Sequence, residues 1–429
     1  MKNKIAVCAN GWNDDSLFAA LEGIKEYAKI EDFDIFVFLS FASYSEQTAL
    51  MQGELNIYRL MVPVDYDGII VLSTALNSVE TAISICEDAC NKNIPVVSVG
   101  MELDGVDSVC VSNDEGMRDL VEHLISVHNV KRAFFIGGTP DHVDSIARLR
   151  VTKEVFESHG LSLAEEDIEY GRWSNRYTAD IINKVVDSGR ELPDVFICAN
   201  DIMAMAACTQ LQDRGVDVPN DVIVTGFDNC REGQFFYPAL SSVDQNYRDI
   251  GYRSCEIIFN RIRGNKEVTR TNVLSKFACG NSCRCKGDRD YDQMRIDYCR
   301  QSYKRSINAK LLEQNERIIR QWMADMPDYK AIKETLRRHY EQNHQFEGEG
   351  FHICVYEEFF LNVMASEQEI WAKGSTSKVE PLVSLINGKI VDGLNCEDGI
   401  VPGYKKEPGV QHVMFFMPMH HFENNYEKM

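Results

Sequence analysis

The sequence predicts an α/β protein of two lobes, each a parallel sheet flanked by helices, followed by a helical stalk and a small α+β segment. Short apolar runs alternate with amphipathic stretches up to about residue 277, which is typical of parallel sheets covered by helices. The alternation is interrupted at Val109–Val111 and starts again at Arg132–Ile136, which indicates a second lobe. After Phe277 the sequence becomes charged and helical. We therefore predict domains at 1–285 (the two lobes), 286–345 (the stalk) and 346–429 (the α+β segment).

Composition and charge limit the classes of partner. The 429 residues include 66 Asp and Glu against 45 Lys and Arg, a formal net charge of −21, which disfavours phosphate backbones and anionic membranes. Residues 1–15 lack the apolar region of a signal peptide, and no apolar run reaches membrane-spanning length. Fourteen cysteines are scattered through predicted strands and helices, as expected for reduced core thiols. We expect a cytoplasmic protein with a neutral or cationic small ligand and no membrane partner.

The first lobe is predicted from the order of its elements. Its strands are Ile5–Ala9, Asp34–Phe38, Gly68–Leu72 and Pro95–Val99, and its helices are Ser16–Lys29, a stretch around Glu46–Arg59, and Ser78–Asn91. The chain returns from the second lobe near Ser241–Gln245, continues into a helix at Tyr247–Arg263 and ends in a strand at Thr271–Phe277. Two lobes that are connected more than once enclose a cleft.

The stretch Pro193–Asn229 predicts where the ligand binds. The apolar runs Val195–Cys198 and Val222–Thr225 indicate two strands buried on both faces, joined by a helix. Parallel strands joined by a helix end at the same edge of their sheet. Asn200 and Asp228 are therefore expected side by side, where open α/β sheets bind ligands.

The helix within this stretch has recognisable ends. Asn200 or Asp201 can accept a hydrogen bond from the amides of the first turn, and Gly215 supplies the left-handed stop. The core face of the helix is predicted to contain Ile202, Met205, Ala206 and Leu211.

Three spaced motifs carry a family resemblance. They are A-N-D-I-M-A at 199–204, V-P-N-D-V-I-V-T-G-F-D at 218–228 and P-A-L-S-S-V-D-Q at 238–245. In this order they resemble the ligand-sensing core of the lactose-repressor/galactose-repressor (LacI/GalR) family, and the resemblance covers about residues 4–277. It implies a two-lobed periplasmic-binding-protein-like type 1 fold. The competing interpretation is a generic Rossmann-like sheet with acidic loop residues.

The resemblance also bears on DNA binding. Members of the family carry a helix-turn-helix reader and a hinge helix ahead of the first strand, whereas Lys4–Val7 is already the first strand here. We therefore expect no direct DNA binding from this chain.

Two of the ligand-binding residues are implied by the resemblance. Arg148 lies twelve residues before Gly160, where the family has an arginine that binds ligand hydroxyls, although Val151 replaces the family glycine three positions on. Its fixed N–H donors suit a polyol or a carboxylate. Trp173 matches an aromatic residue that covers the ligand, and its flat ring suits a sugar or a purine. The alternatives are a surface arginine and a core tryptophan.

Polar groups complete the predicted ligand site. Asn200 can donate and accept, Asp228 can accept from two hydroxyls, and Gln245 and Tyr247 match the segment that returns to the cleft. Across the cleft, Ser112 replaces the aspartate usual in the family, so the ligand cannot be copied from a relative. Weaker candidates at strand ends of the first lobe are Trp12, Asn13 and Thr74.

A cysteine cluster follows the lobes. Cys279, Cys283 and Cys285 form a C-x3-C-x-C run, which can bind zinc, but the spacing is not that of a standard finger or ribbon and no histidine lies near it in the sequence. We predict a thiol-rich turn with no metal or cofactor, and metal binding stays open as the alternative.

The segment after the cluster predicts assembly. A charged helix over Asp290–Ala324 carries one apolar stripe, which consists of Tyr303, Ile307, Leu311, Ile318 and Trp322. A stripe of this kind needs a partner, so we predict a homodimer joined through the stalk, with packing against the lobes as the alternative. The final segment from Gly350 resembles the start of a GAF-like sensor domain. Some bacterial proteins join a LacI-like sensor, a stalk and a GAF-like module to a GGDEF diguanylate cyclase, but this sequence contains no GGDEF motif.

The sequence lacks three motifs of common enzymes, which favours a binding function. The G-G-T-P run at 137–140 lacks the lysine of a P-loop, and the sequence has neither H-E-x-x-H nor G-x-S-x-G. We predict a sensor, not an enzyme, of the LacI/GalR transcription-regulator type, which closes on a sugar-like polar molecule and signals through the stalk. The alternatives are a DNA-binding regulator acting through a partner's reader, the sensor portion of a diguanylate cyclase and, more remotely, an enzyme.

Overall fold

We describe the protein from a computed structural model. It describes residues 2–11, 14–41, 54–61, 65–76, 78–286, 293–300, 302–303, 331, 334–335, 337–338, 350–356, 379–386, 389–394, 400–405 and 411–416. Several predicted residues lie outside this part of the chain, namely Trp12 and Asn13 of the ligand site and Ile307, Leu311, Ile318 and Trp322 of the stalk stripe.

The elements alternate as the sequence predicts, except that the predicted strand Thr271–Phe277 is divided into two strands, Arg270–Leu274 and Lys276–Ala278, which belong to different sheets. In chain order the strands are β1 (Asn3–Asn10), β2 (Phe33–Ser40), β3 (Gly68–Val71), β4 (Val96–Val99), β5 (Asp107–Ser112), β6 (Ala133–Gly137), β7 (Ile168–Tyr170), β8 (Val195–Cys198), β9 (Ile223–Thr225), β10 (Ser242–Asp244), β11 (Arg270–Leu274), β12 (Lys276–Ala278), β13 (Gly350–Tyr356), β14 (Val379–Ile386), β15 (Lys389–Ile390) and β16 (Val413–Phe416). The helices are α1 (Asp14–Tyr27), α2 (Val79–Asn91), α3 (Asp114–His128), α4 (Val143–Ser158), α5 (Asn175–Asp187), α6 (Asp201–Asp213), α7 (Arg231–Phe235) and α8 (Tyr247–Ile262). None of these helices is both long enough and apolar enough to span a membrane.

The first lobe is built on a parallel sheet in the order β11-β5-β4-β3-β1-β2-β16. Strands β1 and β2 are buried along almost their whole length because helices cover both faces of the sheet. Helices α1 and α8 cross closely on one face, and glycine permits the contact. A Cβ on Gly23 would lie 1.8 Å from the carbonyl oxygen of Arg248, and one on Gly251 would lie 2.0 Å from that of Ala20.

The second lobe has a parallel sheet in the order β7-β6-β8-β9. Its core is one cluster of buried apolar residues from both faces, including Phe135, Phe156, Phe196 and Phe227. Strand β10 continues beside β9 through the single pairings Thr225–Ser241 and Asp228–Asp244, and it forms an antiparallel pair with β12. The two lobes confirm the predicted two-lobed α/β architecture.

Helix α6 buries a face that differs from the predicted one. Its buried residues are Asp201, Met203, Ala204, Ala207, Cys208 and Leu211. Ile202, predicted to lie in the core, is 45% exposed, and only Leu211 of the predicted set is buried. The physical reason is Asp201, whose buried carboxylate accepts hydrogen bonds from the Cys230 amide and the Ser242 hydroxyl and thereby fixes the rotation of the helix.

Three passages of the chain join the lobes, from β5 to α3, from β10 to α8 and from β11 to β12. Two of them are bound to each other through Ser275. Its hydroxyl donates to the Ser112 carbonyl oxygen at 2.5 Å and accepts from the Gly116 amide at 3.1 Å. The chain therefore crosses between lobes as a hydrogen-bonded bundle, next to the strand ends predicted to bind the ligand.

The C-terminal segment is divided between two places. Strands β13, β14 and β15 form an antiparallel sheet, whereas β16 pairs in parallel with β2 of the first lobe. The buried carboxylate of Asp34 joins this segment to the lobe, because it accepts from the Tyr404 hydroxyl at 2.6 Å and from the His412 amide at 2.7 Å. Lys2 lies 2.6 Å from the same carboxylate. Residues 400–405 and 411–416 thus belong to the first lobe, although the predicted boundary at residue 346 separates them from it.

Residues 293–300, at the start of the predicted stalk, pack against the second lobe. Arg295, in the helical stretch 293–300, donates to the carbonyl oxygens of Phe235 and Phe236. The rings of Tyr298 and Phe235 are stacked with centroids 4.5 Å apart. The start of the predicted stalk therefore contacts helix α7.

Candidate ligand-binding site

Asp228 lies directly after strand β9, at the edge where the sequence places it. Its backbone has φ = 115°, in the left-handed region that non-glycine residues rarely adopt. The Asp228 amide donates to the Val243 carbonyl oxygen at 2.9 Å, and the Gln245 side-chain amide donates to the Asp228 carboxylate. Strand β10 and the passage after it therefore fix both the backbone and the carboxylate of Asp228.

Arg148 projects from helix α4 into the same region and is 3% exposed. Its Nη1 donates to the Ala199 carbonyl oxygen at 2.6 Å, and its Nε donates to Asn113 Oδ1 at 3.0 Å. The guanidinium lies 3.6 Å from the centroid of the Phe227 ring. Arg148 is thus a buried, oriented donor, and the surface-arginine alternative is wrong.

Asn113 is a site residue that the sequence analysis missed. Besides accepting from Arg148, it donates through Nδ2 to Asp144 Oδ1 at 2.8 Å, and Asp144 Oδ2 lies 3.9 Å from Arg148. The neighbouring Ser112 was the predicted contact, but its hydroxyl donates to the Glu115 carboxylate. The sequence contained a signal for Asn113, because this residue directly follows Ser112 at the end of strand β5.

Trp173 provides an aromatic wall. Its backbone has φ = 58°, and a Cβ on Gly138 would lie 2.0 Å from its ring, so the indole packs directly against the Gly138 backbone. The ring centroid lies 5.9 Å from the Arg148 guanidinium carbon and 5.1 Å from the ring centroid of His142. The indole is half-buried, so part of its surface stays accessible.

Asn200 has the local role that its position predicts, since it is the N-cap of helix α6 and its Oδ1 accepts from the Met203 amide at 2.9 Å. It is 8% exposed. The adjacent Asp201 is completely buried, with hydrogen bonds from Ser242 Oγ at 2.6 Å and from the Cys230 amide at 2.7 Å. A ligand role for Asn200 therefore stays a prediction.

Tyr247 begins helix α8 and connects the site to the first lobe. Its side chain packs against the apolar core of the first lobe. Burial, followed by the charges of Asp228 and Asp144, raises the pKa of Tyr247 to about 12, so the phenol keeps its proton and remains a donor. Thr74, the remaining first-lobe candidate, is exposed and packs against Gly100.

Two carboxyl groups at the site have raised pKa values, that of the half-buried Asp228 and that of the completely buried Asp201. Burial raises the pKa of Asp228 to about 6, although the Arg148 guanidinium and the Gln245 amide both lower it. Burial and the charge of Asp228 raise the pKa of Asp201 to about 8. Side chains with raised pKa values in a cleft are typical of functional sites.

The chemistry of the assembled groups is recognition of a polar molecule. Arg148 presents fixed donors, Asp228 and Asp144 present acceptors, and Trp173 presents a flat apolar face. Of the predicted residues that the structure describes, Arg148, Trp173, Asp228, Gln245 and Tyr247 lie together, Asn200 lies at their edge, and Ser112 and Thr74 make other contacts.

Comparison with known proteins identifies relatives of this domain. Residues 121–283 match the family model of a periplasmic binding protein-like domain. The chain is 25% identical over 270 residues to the HTH-type transcriptional repressor PurR of Aliivibrio fischeri (strain MJ11), covering 60% of this chain and 77% of the repressor. It is 26% identical over 254 residues to catabolite control protein A of Priestia megaterium, covering 59% of this chain and 72% of that protein.

Solved structures share the fold. The transcriptional regulator CelR in complex with cellobiose aligns with a TM-score of 0.52 and 21% identity, covering 65% of this chain and 84% of that chain. The lac repressor dimer bound to operator and the anti-inducer ONPF aligns with a TM-score of 0.51 and 18% identity, covering 66% of this chain and 94% of that chain.

Proposed function

We propose that this chain, which contains a periplasmic-binding-protein-like domain of the kind carried by LacI/GalR-family regulators, is a small-molecule sensor that closes on a polar, sugar-like ligand. The observation that carries the proposal is the convergence of Arg148 and Asp228 beside Trp173 at the passages between the lobes. A buried guanidinium and carboxylates are costly to maintain, and ligand recognition accounts for keeping them there.

The charges of the site favour a neutral or cationic ligand. One guanidinium faces two carboxylates, those of Asp144 and Asp228, so the ionised site carries one net negative charge. A polyol satisfies all three groups, because its hydroxyls accept from Arg148 and donate to the carboxylates. Its C–H face suits the indole of Trp173.

The proposed mechanism is a shift between open and closed lobes. The passages that border the site also connect the lobes, so a ligand that contacts both sides stabilises the closed arrangement. It shifts the balance only by its difference in affinity for the two states.

The signal leaves the site through helix α7, which starts three residues after Asp228. The same helix contacts Arg295 and Tyr298 at the start of the linker. A shift of Asp228 on ligand binding therefore changes the contacts that hold the linker over 286–345, and the linker passes the change to residues 346–429.

We propose that the chain acts in the cytoplasm as a homodimer and does not bind membranes.

Screening tests the sensor function directly. Thermal unfolding is measured with sugars, nucleosides and amino acids, and a ligand at a hundredfold over its Kd should add about 2.7 kcal/mol of stability. Asp228→Asn should lose this stabilisation, Trp173→Ala should lose part of it, and the exposed control Asp180→Asn should keep it. Unchanged stabilisation in both site variants places the ligand elsewhere and refutes the site.

A DNA-linked role is the second candidate, because PurR is a transcriptional repressor by name. In this role the chain acts on DNA through a reader supplied by a partner. Gel-shift assays with and without the ligand distinguish the two. Sequence-specific binding by the isolated chain at physiological salt contradicts our expectation of no direct DNA contact.

A further inference from the structure

A second cluster of reactive side chains lies away from the ligand site. The sulfur atoms of Cys279, Cys283 and Cys285 and a ring nitrogen of His123 all lie within 4.8 Å of one another. The Sγ atoms of Cys279 and Cys283 are 3.9 Å apart. His123 Nε2 lies 3.8 Å from Cys283 Sγ and 3.4 Å from Cys285 Sγ.

These separations match the edges of a tetrahedron around one zinc ion. Zinc–sulfur bonds of about 2.3 Å and zinc–nitrogen bonds of about 2.0–2.1 Å give tetrahedral edges of about 3.8 Å between two sulfurs and about 3.6 Å between sulfur and nitrogen. The observed 3.9 Å, 3.8 Å and 3.4 Å lie close to these values. Three of the six separations therefore have the length of a tetrahedral edge, and all six lie within 4.8 Å.

The fold positions the cluster independently of any ion. His123 projects from helix α3, and its ring lies 4.9 Å from that of Phe277, just before the cysteine run. The turn that carries the cysteines is fixed by Ser282, whose amide donates to the Ala239 carbonyl oxygen at 2.9 Å and whose hydroxyl donates to that of Val224 at 2.5 Å. Cys283 is completely buried, so its thiol is held in place by the lobe.

We propose that His123, Cys279, Cys283 and Cys285 bind one Zn²⁺ ion. Three cysteines and one histidine are a common ligand set for structural zinc, whereas hard cations such as Ca²⁺ and Mg²⁺ prefer oxygen. The sequence shows only three of the four ligands together, because His123 lies 160 residues before Cys283. Binding converts the thiols into thiolates, releases their protons, and leaves one negative charge on the site.

His128 supports the site without being one of the four ligands. Its Nε2 lies 3.4 Å from Cys285 Sγ and 3.1 Å from His123 Nε2. When His123 binds the ion through Nε2, His128 can donate its N–H to the Cys285 thiolate. A donor of this kind stabilises a metal-bound thiolate and orients it.

The ion joins two segments of the chain at the point where the linker leaves the second lobe. Helix α3 begins at the first passage between the lobes, and the cysteine run lies directly before the predicted linker, which begins at residue 286. One ion bound to both fixes the direction in which the linker leaves the second lobe. The site thus fixes the position of the start of the linker, which contacts helix α7.

Metal analysis of the full-length chain, purified under reducing conditions, tests the proposal. We expect about one zinc per chain by mass spectrometry of the metal content, with loss of the metal in His123→Ala and in Cys283→Ser. The exposed cysteine of helix α2 provides the matched control, and Cys90→Ser should keep the zinc. His123→Cys should restore it, because four thiolates also bind zinc. His128→Ala should keep the stoichiometry and weaken the affinity about 10- to 100-fold.

A second measurement does not depend on the folding of the variants. The wild-type chain is stripped with a chelator, kept reduced and titrated with Co²⁺, whose absorption reports thiolate ligands and tetrahedral geometry. Absence of both zinc in the purified protein and a thiolate–cobalt band in the titration overturns the proposal. The proposal is also overturned if mass spectrometry detects a disulfide between Cys279 and Cys283 in protein that has been kept with both reductant and zinc.

Discussion

Neutralising Asp228 should stabilise the protein while abolishing its proposed function. Asn is the appropriate replacement, because it has the same shape, accepts a hydrogen bond from Gln245 through its carbonyl oxygen and tolerates the positive φ of 115° at this position. Alanine would combine loss of the carboxylate with an unfavourable backbone, so it is a poorer test.

The magnitude follows from the pKa of Asp228, which rises from 3.8 to about 6 in the folded protein. Each pH unit between the two values is worth about 1.4 kcal/mol, so the ionised carboxylate costs the fold on the order of 3 kcal/mol above pH 6. This figure already includes the attraction of Arg148. The charge of Asp228 also raises the pKa of Asp201, so its removal relieves the second carboxylate and acts in the same direction.

The sign of the pH dependence is fixed by the direction of the shift. A carboxyl whose pKa is raised on folding favours the folded state below its unfolded pKa, and this advantage is lost as the pH rises from about 4 through about 6. Asp228→Asn should therefore match the wild type near pH 4 and exceed it at pH 8. For a domain of this size the difference corresponds to several degrees in the unfolding midpoint.

Thermal unfolding of the wild type and Asp228→Asn across this pH range measures the effect, with Asp180→Asn as the control for adding an amide at an exposed position. Ligand binding is measured on the same samples. An Asp228→Asn variant that is less stable at pH 8, or equally shifted at pH 4 and pH 8, would refute the view that this carboxylate is kept at a cost to the fold.

Three contacts and one titration give further predictions. Trp173→Ala should lower ligand affinity about fivefold by calorimetry, in line with roughly 1 kcal/mol for an aromatic face, while Trp173→Phe keeps most of it; equal losses in both variants would contradict a stacking role. Ligand affinity of the wild type should increase as the pH rises through about 6, since ionised Asp228 accepts more hydrogen bonds, and a pH-independent Kd would argue against contact with this carboxylate. Tyr404→Phe should cost about 1–3 kcal/mol in denaturant unfolding, because the buried Asp34 loses a donor at 2.6 Å; an unchanged midpoint would mean that residues 400–405 and 411–416 do not stabilise the lobe. Arg295→Ala should speed amide exchange in residues 293–300 without changing ligand affinity, and unchanged exchange would show that the contact with helix α7 is not stabilising.

The features that the sequence predicts best are those determined by residues close together in the chain. The apolar runs around residue 200 predict two buried strands, and their shared edge correctly places Asp228 beside the chain passages. The cap of helix α6 is also predicted, because a residue such as Asn200 bonds to an amide only three positions away. The rotation of the same helix is not, since it depends on Asp201 meeting Ser242 from another strand.

Contacts between distant segments escape the sequence analysis. The position of Asn113 beside Ser112 marks it as a candidate, but its hydrogen bond with Arg148, 35 residues later in the chain, is visible only in the structure. His123 has no local signal, because its relation to the cysteine run exists only after the second lobe has folded. The same holds for β16, an apolar run that pairs with a strand more than 370 residues earlier.

The position of β16 determines how the protein tolerates shortening. Strand β2 would be the edge of the first-lobe sheet without it, and an edge strand with free amide and carbonyl groups is a template for pairing with other chains. The stacked rings of Phe416 and Phe38, with centroids 4.7 Å apart, would be separated in the same step. A chain cut after residue 285 therefore keeps the ligand site but loses the cover of this edge, and it is expected to self-associate through β2. Studies of the isolated lobes need the last strand supplied, either in the same chain or as a peptide.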